Sequence, residues 1–361
     1  MRKLEVTFED GRVSPLFVGS DLLRRIGELF ELKKYTKIFV LSEEGIFAHW
    51  GGAIEQCVPN AIRITVPAGE GSKSVETLAR IWSELLAARA DRKSLIINLG
   101  GGMITDLGGF AASTYMRGMS CINVPTTLLS QVDASIGGKT GINLEGVKNC
   151  IGSFAQPLGV VIDVDTLHTL SPREFASGFA EIVKHGFIAD DSYLSEIEGY
   201  QIRDGANCAT LESIIYRSCE IKRDVVSRDE REGGFRKLLN FGHTLGHAIE
   251  SISHSTASPM LHGEAISLGM VGEAYLSHLL GYLTEAEVDR MKKVLLMLQL
   301  PVVLPSGYEY SKIRALMEQD KKNTGGEISW TLLKGIGEGI FDVKVGDKEI
   351  QAAFEYLGSD E

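Results

Sequence analysis

Short apolar runs alternate with a segment of helical periodicity through the first part of the chain. Three runs rich in β-branched and large apolar residues predict buried strands at 37–41, 62–66 and 94–99. Residues 74–89 instead carry apolar side chains at a helical spacing. This alternation predicts an α/β domain over residues 1–170, a Rossmann-like parallel sheet with helices on both faces. Ligands of such sheets bind at the carboxyl ends of the strands, which here are the loops after Leu41, Val66 and Leu99.

The pattern changes near Ser171-Pro172, where a helix can begin with proline in its first turn. Helical periods follow at 174–187, 211–226, 237–252, 264–280 and 285–298. The segments 326–333 and 339–343 have the composition of strands and are expected to pair. We therefore predict a second, mainly α-helical domain over 171–361, with a ligand cleft between the two domains.

Composition and charge narrow the possible partners. A chain of 361 residues exceeds the usual single-domain size, and its net charge of −11 disfavours nucleic acids and anionic membranes as partners. The acidic, alternating N-terminus is not a secretory signal, and no run of about eighteen apolar residues occurs. The 5 cysteines are scattered and form no Cys-x-x-Cys motif, so we expect reduced thiols in a cytoplasmic protein.

A glycine-rich turn follows the third predicted strand, in Gly100-Gly-Gly-Met-Ile-Thr-Asp106. Glycines let backbone amides approach a pyrophosphate closely, and the N-terminus of the following helix favours an anion. The spacing is not the Gly-x-Gly-x-x-Gly dinucleotide fingerprint, so a purely structural turn remains an alternative. The strand-to-helix turn Ala68-Gly-Glu70-Gly-Ser-Lys73 is a second candidate of the same kind.

The segment 125–157 is rich in glycine and hydroxyl side chains, and it carries Lys139 and Lys148 with few acidic residues. Basic side chains in such a setting predict an oxyanion or phosphate site. No Gly-x4-Gly-Lys-Ser/Thr motif is present, so nucleoside triphosphate hydrolysis is not indicated.

Four of the 8 histidines fall between positions 243 and 262. On a helix, His243 and His247 would lie one turn apart on one face, a spacing that suits a zinc ion. Glu181 would complete a set of two histidines and one carboxylate, although its spacing from Lys184 also suits a simple ion pair. The imidazoles could come from His243 and His247 or from His243 and His262, and the spacing leaves both alternatives open.

Together these segments resemble the 3-dehydroquinate synthase family. The matching motifs are Gly100-Gly-Gly-x3-Asp106, Pro125-Thr-Thr-Leu-Leu-x2-Val-Asp133-x-Ser-x-Gly-Gly-Lys139, Lys148-Asn149, Ala180-Glu181-x2-Lys184, Arg236-x2-Leu-Asn240-x-Gly-His243-Thr-x-Gly-His247 and His262-Gly-Glu264. The resemblance implies the family's two-domain fold and a cyclase of the shikimate pathway. Such an enzyme converts 3-deoxy-arabino-heptulosonate 7-phosphate to 3-dehydroquinate and phosphate, with zinc or cobalt and with NAD that is regenerated in each turnover.

The resemblance also implies roles for individual residues. The metal ligands would be Glu181, His243 and His262. NAD would contact Glu43, Glu70, Lys73, Gly101, Gly102, Met103, Ile104, Thr105, Asp106, Thr126, Thr127, Leu129, Lys139, Lys148, Thr166, Leu167, His168, Thr169 and Glu174. The substrate would meet Asp133, Lys139, Asn149, Lys184, Lys222, Arg236, Asn240, His247 and one of Lys321 and Lys322. Arg117 would reach a neighbouring subunit's site, which implies a homodimer.

Two other functions are compatible with this pattern. A related sugar-phosphate cyclase would act on a substrate without a carboxylate, and such enzymes tend to change the residues that match Arg236 and Asn240, both present here. A metal-dependent polyol dehydrogenase shares the two-domain plan but would release NADH and would need neither Lys222 nor Arg236.

Overall fold

A computed structural model of the chain describes residues 1–200, 202, 208–318 and 328–359. The strands of this part are β1 (Arg2–Thr7), β2 (Val13–Gly19), β3 (Ile38–Glu43), β4 (Ile62–Val66), β5 (Leu95–Gly100), β6 (Ser120–Pro125), β7 (Lys139–Leu144), β8 (Val147–Phe154), β9 (Gly159–Asp163), β10 (Trp330–Gly335) and β11 (Glu338–Val343). Its α-helices are α1 (Ile26–Leu29), α2 (Glu44–Ile46), α3 (Gly52–Cys57), α4 (Val75–Ala87), α5 (Gly102–Thr114), α6 (Pro172–Ala189), α7 (Asp191–Glu198), α8 (Cys208–Arg228), α9 (His243–Ser253), α10 (His262–Leu279), α11 (Glu285–Met297), α12 (Tyr310–Glu318) and α13 (Asp347–Leu357).

The chain divides into two compact units. The first comprises Met1–Ser171 and Cys208–Glu230, and the second comprises Pro172–Asn207 and Arg231–Glu361. The sequence placed the whole of 171–361 in the second domain, so the structure differs in assigning α8 to the first. The reason is packing: α8 contacts β1 and β2, and it buries apolar side chains such as Ile215 and Cys219. The thiol Sγ of Cys219 lies 3.5 Å from the Gln131 carbonyl oxygen, which is also in the first unit.

The first unit contains a seven-stranded sheet in the order β1-β2-β9-β6-β5-β3-β4 within the described residues. The edge strand β1 runs antiparallel to β2, and the remaining neighbours are parallel. Alternate residues of β3 point to opposite faces: Phe39 and Leu41 join one apolar core and Val40 joins the other. Helices α4 and α5 contribute to the first core, and the second includes Ile26 and Ile54. The predicted parallel sheet with helices on both faces is therefore confirmed.

The order of the strands creates a switch point between β5 and β3, close to the β4 edge of this sheet. From β3 the chain moves outward to β4, and then returns to place β5 on the other side of β3. Connections that leave two neighbouring strands in opposite directions open a crevice at the carboxyl ends of those strands. Here those ends are Glu43 on β3 and Gly100 on β5.

The second unit is mainly helical, as predicted, with an antiparallel pair formed by β10 and β11. The predicted strand at 326–333 starts outside the described residues, and β10 begins at Trp330. The predicted helix over 237–252 is divided. A 3₁₀-helix, Phe235–Asn240, is followed by Gly242 at a left-handed φ of 80°, and α9 then begins at His243.

Helices α9 and α10 pack closely because glycines face each other. A Cβ placed on Gly269 would lie 1.9 Å from the carbonyl oxygen of Gly242, so no side chain fits there. Among the described helices of the chain, none is both long and apolar enough to cross a membrane.

Candidate functional site

Three helices of the second unit bring the predicted metal-ligand side chains together. Glu181 lies in the middle of α6, whereas His243 and His262 are the first residues of α9 and α10. Glu181 is fully buried, and His243 and His262 are partly buried. One ligand atom from each of these residues lies within 4.8 Å of the others, so the three side chains can surround a single ion.

The distances suit a small divalent metal. The Nε2 atoms of His243 and His262 each lie 3.6 Å from the Glu181 Oε1 atom. Ligands bound at about 2.0–2.2 Å to a tetrahedral zinc ion lie roughly 3.3–3.6 Å from each other. Both histidine-to-glutamate distances therefore match those expected around a zinc ion.

Hydrogen bonds at the other ring nitrogens fix which nitrogen faces the ion. The Nδ1 atom of His243 lies 3.1 Å from the Phe241 carbonyl oxygen, which can only accept, so Nδ1 carries the proton. The Nδ1 atom of His262 lies 3.2 Å from Glu250 Oε2 and donates to that carboxylate. In both rings Nε2 is therefore the atom that faces Glu181, and it would offer its lone pair to a bound metal, as in other metal-bound histidines.

The electrostatics of the cluster favour a cation. Burial by itself would lower the pKa of His262, but hydrogen bonds to Glu181 and Glu250 and their negative charges outweigh it and raise that pKa to about 9. An environment that stabilises a proton on the imidazole also stabilises a metal cation in its place.

The structure also addresses the choice of histidines that the spacing left open. His243 and His247 do share one face of α9, with ring centroids 5.0 Å apart. A second group of converging ligand atoms consists of His247, Glu250 and His262. Within the described residues, no such group contains both His243 and His247. The geometry thus favours His243 with His262, which is the set that the family resemblance implies.

Other predicted substrate residues of the second unit are mostly buried. Lys184 is 1 % exposed and forms a close ion pair with Glu181 Oε2, and Arg236 is 2 % exposed in the 3₁₀-helix before α9. The Asn240 side-chain amide donates to Glu232 Oε1 at 3.0 Å. Glu174 is exposed in the first turn of α6. Lys321 and Lys322 lie outside the described residues.

The predicted cofactor residues of the first unit gather at one edge of its sheet. Most of them follow the carboxyl ends of five parallel strands: Glu43 (β3), Glu70 and Lys73 (β4), Gly101–Asp106 (β5), Thr126, Thr127 and Leu129 (β6) and Thr166–Thr169 (β9). This is the edge at which open α/β sheets bind their ligands. The side chains of Ile104, Thr105 and Thr166 are almost fully buried, so contacts to a cofactor there would come from the backbone.

The glycine turn after β5 is closely packed. A Cβ on Gly101 would come within 3.1 Å of Thr127, and the Thr126 amide donates to the Gly100 carbonyl oxygen at 3.0 Å. Helix α5 begins directly after this turn, with no side-chain hydrogen bond from its N-cap residue, Gly101. Amides at such a helix start can bind the oxygens of a phosphate.

A polar network lies beside this turn. The buried Lys73 donates to Asp106 Oδ2 at 2.5 Å, and Asn143 donates from its amide to Glu70 Oε1 at 2.8 Å. Asn143 also accepts the backbone N–H of Asn149 at 2.8 Å. Burial raises the pKa of Asp106, and the charge and hydrogen bond of Lys73 oppose that rise. Asn143 was not predicted from the sequence, because no motif marks it and its partners are distant in the chain.

The remaining predicted residues of the first unit lie on three elements. Lys222 on α8 is almost fully buried and forms a close ion pair with Asp133 in the π-helix Ser130–Ala134. Lys139, Lys148 and Asn149 are exposed on the β7–β8 hairpin, where the sequence predicted an anion-binding segment but no strands. Arg117 is exposed and has a left-handed φ of 67°.

Two further glutamates contact the segments that carry the predicted metal ligands, and neither was predicted from the sequence. Glu250 orients His262, and the buried Glu273 accepts hydrogen bonds from the backbone around His243. Glu250 is 12 residues from its partner and Glu273 is 31 residues from Gly242, so neither contact has a local sequence signature.

Comparisons with known proteins agree with this architecture. The family model described as 3-dehydroquinate synthase N-terminal matches residues 63–177, and the one described as 3-dehydroquinate synthase C-terminal matches residues 178–323. The chain is 39 % identical over 352 residues to a 3-dehydroquinate synthase of Symbiobacterium thermophilum, covering 95 % of this chain and 97 % of that protein. It is 43 % identical over 338 residues to one of Methylacidiphilum infernorum, covering 92 % of each.

Solved structures show the same fold. A 2-epi-5-epi-valiolone synthase from Streptomyces hygroscopicus, solved with NAD+ and Zn2+, is 27 % identical, has a TM-score of 0.86 and covers 98 % of this chain and 97 % of its own. A 2-deoxy-scyllo-inosose synthase is 23 % identical with a TM-score of 0.88, and the match covers 98 % of this chain and 99 % of the other. A glycerol dehydrogenase from Schizosaccharomyces pombe is 15 % identical with a TM-score of 0.67, and the match covers 95 % of this chain and 88 % of the other. The matches to two consecutive family models and to relatives along nearly the whole chain place this protein in the 3-dehydroquinate synthase family.

Proposed function

We propose that the protein converts 3-deoxy-arabino-heptulosonate 7-phosphate to 3-dehydroquinate and phosphate, and is therefore a phosphate-eliminating carbon–oxygen lyase. The observation that carries this proposal is the converging set of Glu181, His243 and His262 in a chain that matches the family along 63–323. The family supplies the reaction, and the ligand set supplies the metal centre that the reaction needs.

The same residues determine which cofactors we assign. Glu181, His243 and His262 would hold Zn2+ or Co2+, which polarises a substrate hydroxyl when it is bound. NAD would lie at the carboxyl edge of the sheet in the first unit, beside the glycine turn at the β3–β5 switch point, and it supplies reversible hydride transfer. Structural relatives contain these cofactors, and the ligand geometry and the sheet topology of this chain support the same assignment.

Buried cations would bind the charged groups of the substrate. The substrate carries a phosphate and a carboxylate, and the protein has a net charge of −11, so positive charge must be concentrated locally. Three cationic side chains are at most 5 % exposed, although a charged group is normally more stable in water: Lys184, Lys222 and Arg236. Lys184 and Lys222 are each paired with a carboxylate, Glu181 and Asp133, and cations held in place in this way can also bind an anionic ligand.

Polar side chains near these cations would orient the substrate and move protons. Asp133 holds the Lys222 ammonium group, and Glu232 holds the Asn240 amide, so the partners of both substrate residues are already in place. His247 lies one turn beyond His243 on α9, and we assign it proton transfer and contact with the substrate phosphate, outside the metal set.

The reaction can be tested by two simultaneous measurements. The purified chain is incubated with the heptulosonate phosphate, NAD and Zn2+, and phosphate release is followed together with the absorbance of NADH. We expect phosphate release without net NADH. Accumulation of NADH in proportion to substrate would instead indicate a polyol dehydrogenase, and bound metal without phosphate release would contradict the cyclase reaction. Release of phosphate from sedoheptulose 7-phosphate alone would indicate a related sugar-phosphate cyclase.

Arg236 provides a test of the carboxylated substrate. Because a guanidinium group can bind a carboxylate through two hydrogen bonds, Arg236→Ala should raise KM for the heptulosonate phosphate by a factor of about ten to a hundred, which corresponds to roughly 1.4–3 kcal/mol. The affinity for NAD should stay the same, since the predicted NAD residues of the glycine turn lie in the other unit. Equal losses of substrate and NAD affinity would assign Arg236 a structural role.

The proposal includes a homodimer and a cytoplasmic location. Arg117 would enter the neighbouring subunit's site, and its exposed position and left-handed backbone, shared with Met116, support a functional role because such strain is kept mostly at functional sites. The cytoplasmic location is supported by Cys57, Cys121, Cys150 and Cys219, which are all free thiols.

A further inference from the structure

A buried glutamate on α10 holds the start of α9. Glu273 has no exposed surface, and its two carboxylate oxygens accept three backbone N–H groups. Oε2 accepts from Gly242 at 2.5 Å, and Oε1 accepts from Thr244 at 3.0 Å and Leu245 at 3.2 Å. These donors lie on both sides of the metal ligand His243.

This contact replaces the local cap that α9 does not have. The N-cap residue, Gly242, makes no side-chain hydrogen bond to the helix, and it has no side chain that could. The first N–H groups of a helix have no partner inside the helix, and they carry partial positive charge that a carboxylate stabilises. Glu273 supplies this stabilisation from a neighbouring helix and so fixes the position of the first turn, where His243 lies.

The same contact reaches the imidazole of His243 through one peptide group. The N–H of Gly242 and the carbonyl of Phe241 belong to the same peptide bond. The N–H donates to Glu273, and the carbonyl accepts from His243 Nδ1 at 3.1 Å. Hydrogen bonds in a chain polarise one another, so a carboxylate at the N–H end makes the carbonyl a stronger acceptor.

We propose that Glu273 is a positioning residue for the metal site, acting on His243 through the Phe241–Gly242 peptide. The chain of contacts from Glu273 through this peptide to His243 is called the carboxylate–peptide–histidine relay below. Glu250 contacts His262 Nδ1 directly, so the Nδ1 atom of each proposed histidine ligand is connected to a carboxylate, either directly or through one peptide group. The inference rests on the metal set of the proposed function, and it adds a residue to which no metal role has been assigned.

The expected size of the effect follows from other metal sites. Loss of a partner that orients a histidine ligand usually weakens metal affinity by about 10–100-fold. Glu273→Gln keeps the size of the side chain but replaces one acceptor oxygen with an NH₂ group. That group cannot accept from the backbone, and the oxygen that remains carries no full negative charge, so Gly242 loses either its acceptor or the charge that polarises its peptide.

The test measures zinc affinity as well as turnover. The metal-free full-length chain is titrated with Zn2+ against a chromophoric chelator, and E273Q should bind zinc about 10–100-fold more weakly than the wild type. The visible spectrum of the Co2+-loaded protein should change as well, because it reports the ligand geometry. NAD affinity should not change, because the glycine turn predicted to bind NAD lies in the first unit.

A matched control removes a capping glutamate that has no metal ligand beside it. Glu287 accepts the backbone N–H of Thr284 at 2.8 Å in the capping box of α11. Glu287→Gln should lower the temperature of unfolding but leave the zinc affinity and the Co2+ spectrum unchanged. If E273Q behaves like this control, Glu273 only caps a helix and the relay is wrong.

Two further outcomes are decisive. If E273Q does not fold, Glu273→Asp keeps the charge and shortens the side chain by one methylene, and it should also weaken zinc binding. Loss of folding in both variants would assign Glu273 a structural role alone and would overturn the relay. Failure of the wild-type chain to bind zinc would overturn the proposed metal site together with the relay, whereas unchanged affinity in E273Q overturns the relay alone.

Discussion

Gly269 sets the distance between the two helices that begin with histidine ligands. A Cβ at this position would lie 1.9 Å from the Gly242 carbonyl oxygen and 2.7 Å from the Gly246 nitrogen. Both contacts are to backbone, so no flexible side chain can move aside. To restore a contact of 3.0 Å, α9 and α10 must separate by about 1.1 Å in Gly269→Ala.

The energetic cost can be estimated from this displacement. A radial gap of 0.5–1 Å forfeits about a quarter to a half of the dispersion attraction between packed atoms. Overpacking costs about 1–3 kcal/mol where side chains can yield. Because backbone has to move here, we expect a loss of about 3–5 kcal/mol, which the better helix propensity of alanine, about 1 kcal/mol, does not offset.

Gly272→Ala is the matched control on the same helix. Its Cβ would meet the Cδ1 atoms of Leu245 at 2.6 Å and Leu357 at 3.0 Å, which are ends of flexible side chains. We expect a net loss of about 0–2 kcal/mol, because the propensity of alanine offsets part of the cost of overpacking. Urea unfolding of the metal-free variants, followed by circular dichroism, measures the difference in stability. Zinc titration should show weaker binding in Gly269→Ala, because His243 and His262 move apart. Equal unfolding midpoints and equal zinc affinities in the two variants would refute this account of helix packing.

Two further predictions concern the histidines and the cysteines. His243→Ala should lose bound zinc, whereas His247→Ala should keep zinc and lose turnover. Metal analysis of the purified variants measures the zinc content of both. Loss of zinc in His247→Ala would contradict the proposed ligand set. Burial raises the pKa of the Cys121 thiol to about 12 and also raises that of Cys219. Since only the thiolate reacts, neither should be alkylated at pH 8 before unfolding, whereas Cys150, which is partly exposed, should react before both. Mass-spectrometric mapping after a short exposure to iodoacetamide measures the order.

The sheet was predictable because its pattern is local. The strand predicted at 62–66 coincides with β4, and those at 37–41 and 94–99 agree with β3 and β5 within one or two residues. Each is a short run of apolar residues beside glycine, proline or a charged turn, and burial on both faces of a parallel sheet requires such runs. The family resemblance then supplied the fold and the function, which the family models confirm.

The helix predicted at 237–252 shows a limit of periodicity. Its apolar spacing continues through Gly242, but this glycine adopts a left-handed conformation and starts a new helix at His243. A glycine inside a helical pattern is compatible with a continuous helix or with a break, and tertiary contacts decide between them. Here the close approach of α10 and the carboxylate of Glu273 favour the break.

The β7–β8 hairpin was missed for a related reason. The hairpin lies in the segment 125–157, which is rich in glycine and hydroxyl side chains, as is typical of a loop. In the structure, glycines allow the two strands to approach: a Cβ on Gly152 would lie 2.2 Å from the Thr140 carbonyl oxygen. Contacts between residues far apart in the sequence, such as Lys222 with Asp133, could likewise not be predicted from patterns that extend over a few residues.

The assignment of α8 to the first unit has a consequence for biosynthesis. The sheet of this unit is complete once residue 171 has been made, but Cys208–Glu230 follows only after Pro172–Asn207, which belong to the second unit. Ribosomes add about 5–20 residues per second, so the surface that α8 covers stays open for several seconds. During this interval the apolar partners of Ile215 and Cys219 are exposed to other nascent chains. The first unit therefore cannot finish folding before synthesis of the second has begun, and the early unit that still lacks α8 is the species that chaperones would have to protect.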